Sequence, residues 1–221
     1  MNMDDGDKLD TYKIIMVGQQ HVGKTGLFGR FTRNDFNEVS QTTIGIEFGT
    51  KIVDADGKQL HAQVWDTSGE EKFMSITKAY YQSALGALLV YDITNRSSFE
   101  KLDFWLQNIY DNGDSHMIVM VVGNKSDLRH MRAVTKLEGE EYARKKGLGF
   151  VETSAKDSTN VDVAYQRLLS EIHRMICQSV IGGDTFSRLG GNDRIRLDSS
   201  DVQGKNRNSA QKNSLKNCSC Q

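Results

Sequence analysis

The sequence predicts an α/β fold: a mostly parallel six-stranded sheet with one antiparallel strand and helices on both faces. Three observations carry this. From Tyr12 to Ile176, apolar segments alternate between strand-like and helix-like patterning. One short-hairpin signal, Asp56-Gly57, lies among them, which accounts for one antiparallel pair and leaves the other strands to crossover connections. The later strand candidates, LGALLVY at 85–91 and MIVMVV at 117–122, are near-continuous apolar runs, as strands covered on both faces require.

The elements follow in order. YKIIMV at 12–17 reads as a buried strand. A Gly-rich turn leads into a helix over 23–32, and a strand follows over 45–54. Beyond the hairpin, Leu60, Ala62 and Val64 alternate with polar His61 and Gln63, the period of a strand with one covered face. Strand 85–91, helix 97–110, strand 117–122, helix 136–146, strand 149–153 and helix 160–177 complete the series. Proline is absent from the 221 residues, so Gly, Asn and Asp must end the helices. The expected organisation is a flexible arm over 1–10, one domain over 11–177 and a disordered tail over 178–221, where Ser, Asn, Gly, Asp and Lys dominate.

Composition excludes several function classes. Lys and Arg number 28 against 29 Asp and Glu, a net charge of −1, so no global basic field recruits nucleic acid. No apolar run approaches the roughly 18 residues of a membrane span. The N-terminal MNMDDGDKLD is too acidic and polar for a secretory signal. Cys177, Cys218 and Cys220 are too few and too clustered for a disulfide framework. The five histidines are scattered without ligand spacing.

Two motifs carry chemistry. Gly18-Gln19-Gln20-His21-Val22-Gly23-Lys24-Thr25 fits G-x-x-x-x-G-K-[ST], set between a strand and a helix as that motif requires. Backbone N–H groups there can wrap a phosphate at a helix N-terminus. Lys24 supplies a point charge to the β- and γ-phosphates, and the Thr25 hydroxyl is a hard oxygen ligand for Mg²⁺. The second motif, Asn124-Lys125-Ser126-Asp127, follows a strand. A carboxylate at Asp127 can accept both N1–H and the 2-amino group of guanine, a pattern adenine lacks. Asn124 can tie the loop together, and the Lys125 stem can cover a ring face. A further loop, Ser154-Ala155-Lys156, also follows a strand, and its Ala155 N–H can reach the guanine O6. Loops at the C-terminal ends of strands are where open α/β sheets bind ligands.

These motifs, with Thr43 and Asp66-Thr67-Ser68-Gly69, resemble the Ras superfamily and so imply its P-loop small-GTPase fold. WDTSGEEKFMSITKAYYQSALGALLVYDIT at 65–94 is similar to Rab GTPases. FTRNDFN at 31–37, TIGIEF at 43–48, GNKSDLRHMRAV at 123–134 and ETSAKDSTNV at 152–161 resemble the recycling-endosome, Rab-eleven subgroup. The resemblance covers about residues 11–177. It implies a GTP/GDP switch in vesicle trafficking that hydrolyses GTP with Mg²⁺ held by Thr25, Thr43 and Asp66. It places the Gly69 N–H on the γ-phosphate and Phe36 edge-on against the guanine. Ile44, Phe48, Trp65 and Tyr80 would present nucleotide state to effectors. Implied partners of this monomer are an exchange factor, a GTPase-activating protein, a GDP-dissociation inhibitor or escort protein, and effectors. The implied location is the cytoplasmic face of endosomal or Golgi-derived membranes.

The chain departs from the family pattern at three positions. Glu70 stands where the family carries the glutamine that orients the attacking water. Gln20 and His21 stand where a small residue and a glycine are usual, so strain is expected at His21. These departures imply slow hydrolysis, with a GTP-locked, non-hydrolysing scaffold as the alternative. The terminal Cys218-Ser219-Cys220-Gln221 reads as a lipidation signal, either one farnesyl on Cys218 or, the favoured reading, two geranylgeranyl groups.

Overall fold

The computed structural model describes residues 9–38, 43, 45–70 and 79–181. Among these, six strands form one sheet: β1 (Thr11–Val17), β2 (Ile46–Ala55), β3 (Lys58–Thr67), β4 (Gly86–Asp92), β5 (Ile118–Asn124) and β6 (Gly149–Glu152). The α-helices whose bounds lie within the described residues are α1 (Lys24–Arg33), α2 (Arg96–Glu100), α3 (Leu102–Asn112), α4 (Lys136–Lys146) and α5 (Val161–Ile181). The strand order is β2-β3-β1-β4-β5-β6. The β2–β3 pair is antiparallel; the other four pairings are parallel. The mixed sheet predicted from the sequence is the one observed.

The hairpin turns on Asp56 at φ 56° and Gly57 at φ 80°. Positive φ at both central residues is the condition for the turn that matches strand twist. Strand alternation then divides the core in two. Ile14, Met16, Leu88, Val90, Met120 and Val122 face α1 and α5, where Phe28, Phe31, Tyr165 and Leu168 are buried. Ile15, Val17, Leu89, Tyr91, Val119 and Val121 face the other way, against Leu102, Trp105, Leu106 and Ala143 of α3 and α4. Every residue of β4 and β5 is buried, which accounts for their unbroken apolar runs.

Two expectations are corrected in detail. The helix expected over 97–110 is two, divided at Lys101. The Ser98 hydroxyl donates to the Asn95 carbonyl at 2.7 Å and accepts from the Asp92 N–H at 3.0 Å. Those bonds tie α2 to the end of β4 rather than letting it run straight into α3. The last helix begins at Val161 and extends to Ile181, past the expected limit of 177. The strand after the hairpin spans Lys58–Thr67, wider than its alternating centre. Helices do end without proline: α1 on Asn34 at φ 53° and α4 on Gly147 at φ 69°, both left-handed caps. Among the described residues no helix is long and apolar enough to cross a membrane. Residues 1–8 of the expected arm and 182–221 of the expected tail, Cys218 and Cys220 included, lie outside the described residues, as does Ile44.

Candidate functional site

Parallel strands end on one side of the sheet, and each predicted loop leaves from such an end. Gly18 follows β1, Asp66 lies at the end of β3, Asn124 ends β5, and Ser154 follows β6 shortly after. Neighbouring strands thus gather residues more than a hundred positions apart in the chain.

The loop over 18–25 wraps around Lys24. That side chain is 5 % exposed. Its Nζ donates to the carbonyls of Gly18 at 2.8 Å and Gln19 at 3.0 Å. Burial lowers its pKa to about 8, with the nearby Asp66 carboxylate pulling the other way. A buried ammonium ringed by its own loop's backbone is a charge preset for an anion. Gly23 turns the loop into α1 at φ 92°, and a Cβ there would lie 2.4 Å from Asn124 Nδ2. No side chain fits between the two loops. His21 adopts φ 64°, the left-handed strain expected where a histidine takes a glycine-like position.

The Asp66–Gly69 segment closes onto this loop. The Gln20 N–H donates to the Gly69 carbonyl at 3.1 Å. A Cβ on Gly69 would lie 2.4 Å from the Gln20 nitrogen and 2.5 Å from Lys24 Nζ. Glu70 follows immediately, half-buried, its N–H 3.4 Å from Ser68 Oγ.

The residues expected to hold Mg²⁺ converge. Thr25 Oγ1 donates to Asp66 Oδ2 at 2.5 Å and lies 2.7 Å from Thr43 Oγ1. Asp66 is fully buried, and its second oxygen, Oδ1, has no hydrogen-bond partner among the described residues. Burial raises its carboxyl pKa to about 6, against the Thr25 bond and the Lys24 charge. Two hydroxyls and a carboxylate with an orphaned oxygen are an all-oxygen donor set. Such a set fits a hard divalent cation beside a phosphate, so the residues fit the group the sequence implies.

The base-side loops form one hydrogen-bonded unit with the phosphate loop. Asn124 Nδ2 donates to the Val22 carbonyl at 2.9 Å, and its Oδ1 accepts from Thr153 Oγ1 at 3.2 Å. Lys125, itself at φ 66°, donates to the His21 carbonyl at 2.8 Å and pairs with Asp92 at 2.7 Å. The strained His21 backbone is therefore held by the loop opposite it. Asp127 Oδ1 accepts from Ser154 Oγ at 2.7 Å, which orients the carboxylate. Lys156 pairs with Glu38 at 2.6 Å. Phe36 and Ala155 are brought to the same face of α1, each within 3.4 Å of a Cβ built on Gly26.

Phe48, Trp65 and Tyr80 also meet. The Phe48 and Trp65 ring centroids are 5.0 Å apart, and those of Trp65 and Tyr80 are 5.4 Å apart. Phe48 remains half exposed. Lys13 supports the group, with its Nζ 5.0 Å from the Trp65 ring.

Sequence reasoning missed four contributors: Asp92, Thr153, Lys13 and Arg30. Asp92 and Thr153 each lie at or just past a strand's C-terminal end, a signal that was available. Lys13 and Arg30 gave none, because their partners are 52 and 125 positions away. A model of the Ras family matches residues 13–174 of the chain.

Proposed function

The chain belongs to the Ras family, whose members bind GTP or GDP with Mg²⁺ and act as switches, and on that premise we propose that it is a Rab-type GTPase directing vesicle traffic. The observation that carries the nucleotide part is the hydrogen-bonded joining of the two motif loops: Asn124 and Lys125 hold the carbonyls of Val22 and His21 in the loop that surrounds Lys24, and Asp127, on the same loop as Asn124, is held by Ser154. It couples a buried cation for phosphates to an oriented carboxylate suited to guanine. In this reading Lys24 binds the β- and γ-phosphates, and Thr25, Thr43 and Asp66 hold Mg²⁺. The ion, when bound, neutralises charge on the phosphates. Asp127 accepts from the guanine edge, Ala155 donates to its O6, and Phe36 packs against it.

The Rab assignment, and within it the recycling-endosome subgroup, is supported by residues 31–37, 65–94, 123–134 and 152–161. The Phe48–Trp65–Tyr80 cluster of tilted rings adds support, as a partly exposed aromatic surface beside the segments that would respond to the γ-phosphate. The reading brings with it an exchange factor, an activating protein, a GDP-dissociation inhibitor and effectors. It also brings prenyl anchoring through Cys218 and Cys220 at endosomal or Golgi-derived membranes. A second reading, a GTP-holding scaffold, is favoured by Glu70, Gln20 and His21.

Analysis of the nucleotide released from purified protein tests the base assignment. GDP or GTP is the expected product, retained in Mg²⁺ and lost faster in EDTA. Bound ADP or ATP would overturn the reading.

A further inference from the structure

Arg30 lies on α1, and its guanidinium is committed to the loop that is to read the base. Nε donates to the Ala155 carbonyl at 2.9 Å, and Nη2 donates to the Lys156 carbonyl at 3.2 Å. Nη1 donates to the Asn34 carbonyl at 3.1 Å and to Asn34 Oδ1 at 3.2 Å, anchoring the fork at the helix end. The same guanidinium carbon lies 5.9 Å from the centroid of the Phe36 ring. Gly26 sits one turn earlier on the same helix face. A Cβ there would lie 3.3 Å from Ala155 Cβ and 3.4 Å from the Phe36 ring.

We propose that Arg30 is a positioning residue for guanine selectivity, holding the Ala155 backbone where its N–H meets the base O6. The inference rests on the guanine-nucleotide reading above. Ala155 is pinned from both sides. Before it, the Ser154 N–H donates to the Thr159 carbonyl at 3.0 Å, and the Ser154 hydroxyl holds Asp127. After it, Arg30 grips two successive carbonyls with one planar fork, a geometry a lysine ammonium does not reproduce. A loop peptide fixed at both ends spends no binding free energy on ordering when the ligand arrives. The Ala155 N–H belongs to the Ser154–Ala155 peptide and the carbonyl that Arg30 holds to the next one, so Arg30 acts on the N–H by fixing the Ala155 backbone torsions; with the fork gone, those torsions relax and the N–H turns away from O6.

The test compares two nucleotides on the full chain. GDP carries O6; 6-thioguanosine diphosphate keeps N1–H and the 2-amino group and carries sulfur, a much weaker acceptor, in place of O6. Each is loaded with Mg²⁺, and its release is followed after adding excess GDP. In Arg30→Ala, GDP release is expected to accelerate about tenfold, and analogue release to change less than about twofold. Arg30→Lys keeps the aliphatic stem and charge but loses the fork. It is expected to shift the GDP-to-analogue ratio as alanine does while melting like the parent, and it carries the test if the alanine variant fails to fold. Equal acceleration of both nucleotides, no acceleration of GDP, or a lysine variant that behaves as the parent would overturn the proposal while leaving the guanine reading intact. A parent chain that releases both nucleotides at one rate would overturn the O6 contact itself, and with it the proposal.

Discussion

Glu70 puts a carboxylate one residue beyond the Gly69 carbonyl that accepts from Gln20, at the position where the family uses a neutral amide to orient water. A carboxylate cannot donate an N–H to the transition state, and its charge opposes that of the γ-phosphate. Loss of one such donor costs about 10²–10³ in rate. Glu70→Gln is therefore expected to raise single-turnover phosphate release by about that factor, with GTP affinity little changed. A parent chain that already hydrolyses at a rate glutamine does not improve would remove the case for a slow switch. Residue chemistry of this kind was legible in the sequence, because Lys24, Thr25, Asp66, Asn124 and Asp127 sit in motifs whose spacing is the signal. Arg30 and Lys13 were not, because their roles depend on which distant backbone or ring folds next to them.

At the scale of elements, the start of α4 carries a capping box that packing enlarges. Thr135 caps it, accepting from the Glu138 N–H at 3.2 Å while Glu138 returns a bond to the Thr135 N–H at 2.8 Å. Arg96 of α2 also bonds Glu138 at 2.5 Å, and that bond is the main reason the Glu138 carboxyl is held down at about 2. Thr135→Ala is expected to lower stability by about 1 kcal/mol in urea denaturation, with nucleotide release unchanged. The packing of α5 on β1 has a pH signature. The buried Tyr12 hydroxyl lies 2.7 Å from His173 Nδ1. Desolvation, and then the Lys58 charge, lowers the His173 pKa below its usual 6.5. The unfolded chain then takes up the proton first as pH falls. The contribution is complete above about pH 6.5 and is lost as pH drops through the folded-state value. The fall in urea midpoint below pH 6.5 is expected to be shallower in His173→Gln; an unchanged slope would mean that other groups set it. The division between α2 and α3 was invisible in the sequence, since apolar spacing continues across Lys101, while the Ser98 bonds that hold α2 to the end of β4 run to backbone groups three and six residues upstream, which apolar spacing does not record.

For the whole molecule, charge and topology act together. Residues 178–221 carry seven Lys and Arg against four Asp, +3, leaving −4 on the remainder of the net −1. An excess of three is thin electrostatic support for one lipid, which is why two prenyl groups are proposed. Cys218→Ser combined with Cys220→Ser is expected to move the protein wholly into the soluble fraction of cells; membrane association equal to that of the parent would count against lipidation at this end. The sequence by itself determined the α/β class, the single hairpin, the strands buried on both faces and the two nucleotide motifs. Each is written in local periodicity or fixed spacing, which folding does not need to supply. Tertiary structure alone decided that Lys125 steadies the strained His21 backbone, that Asp66 keeps an oxygen unpartnered beside Thr25 and Thr43, and that Arg30 grips the Ala155 loop. Lys125 and His21 are 104 residues apart, Asp66 and Thr25 41, and Arg30 and Ala155 125; parallel pairing gathers the loops at the strand ends on one edge of the sheet, with α1 beside them.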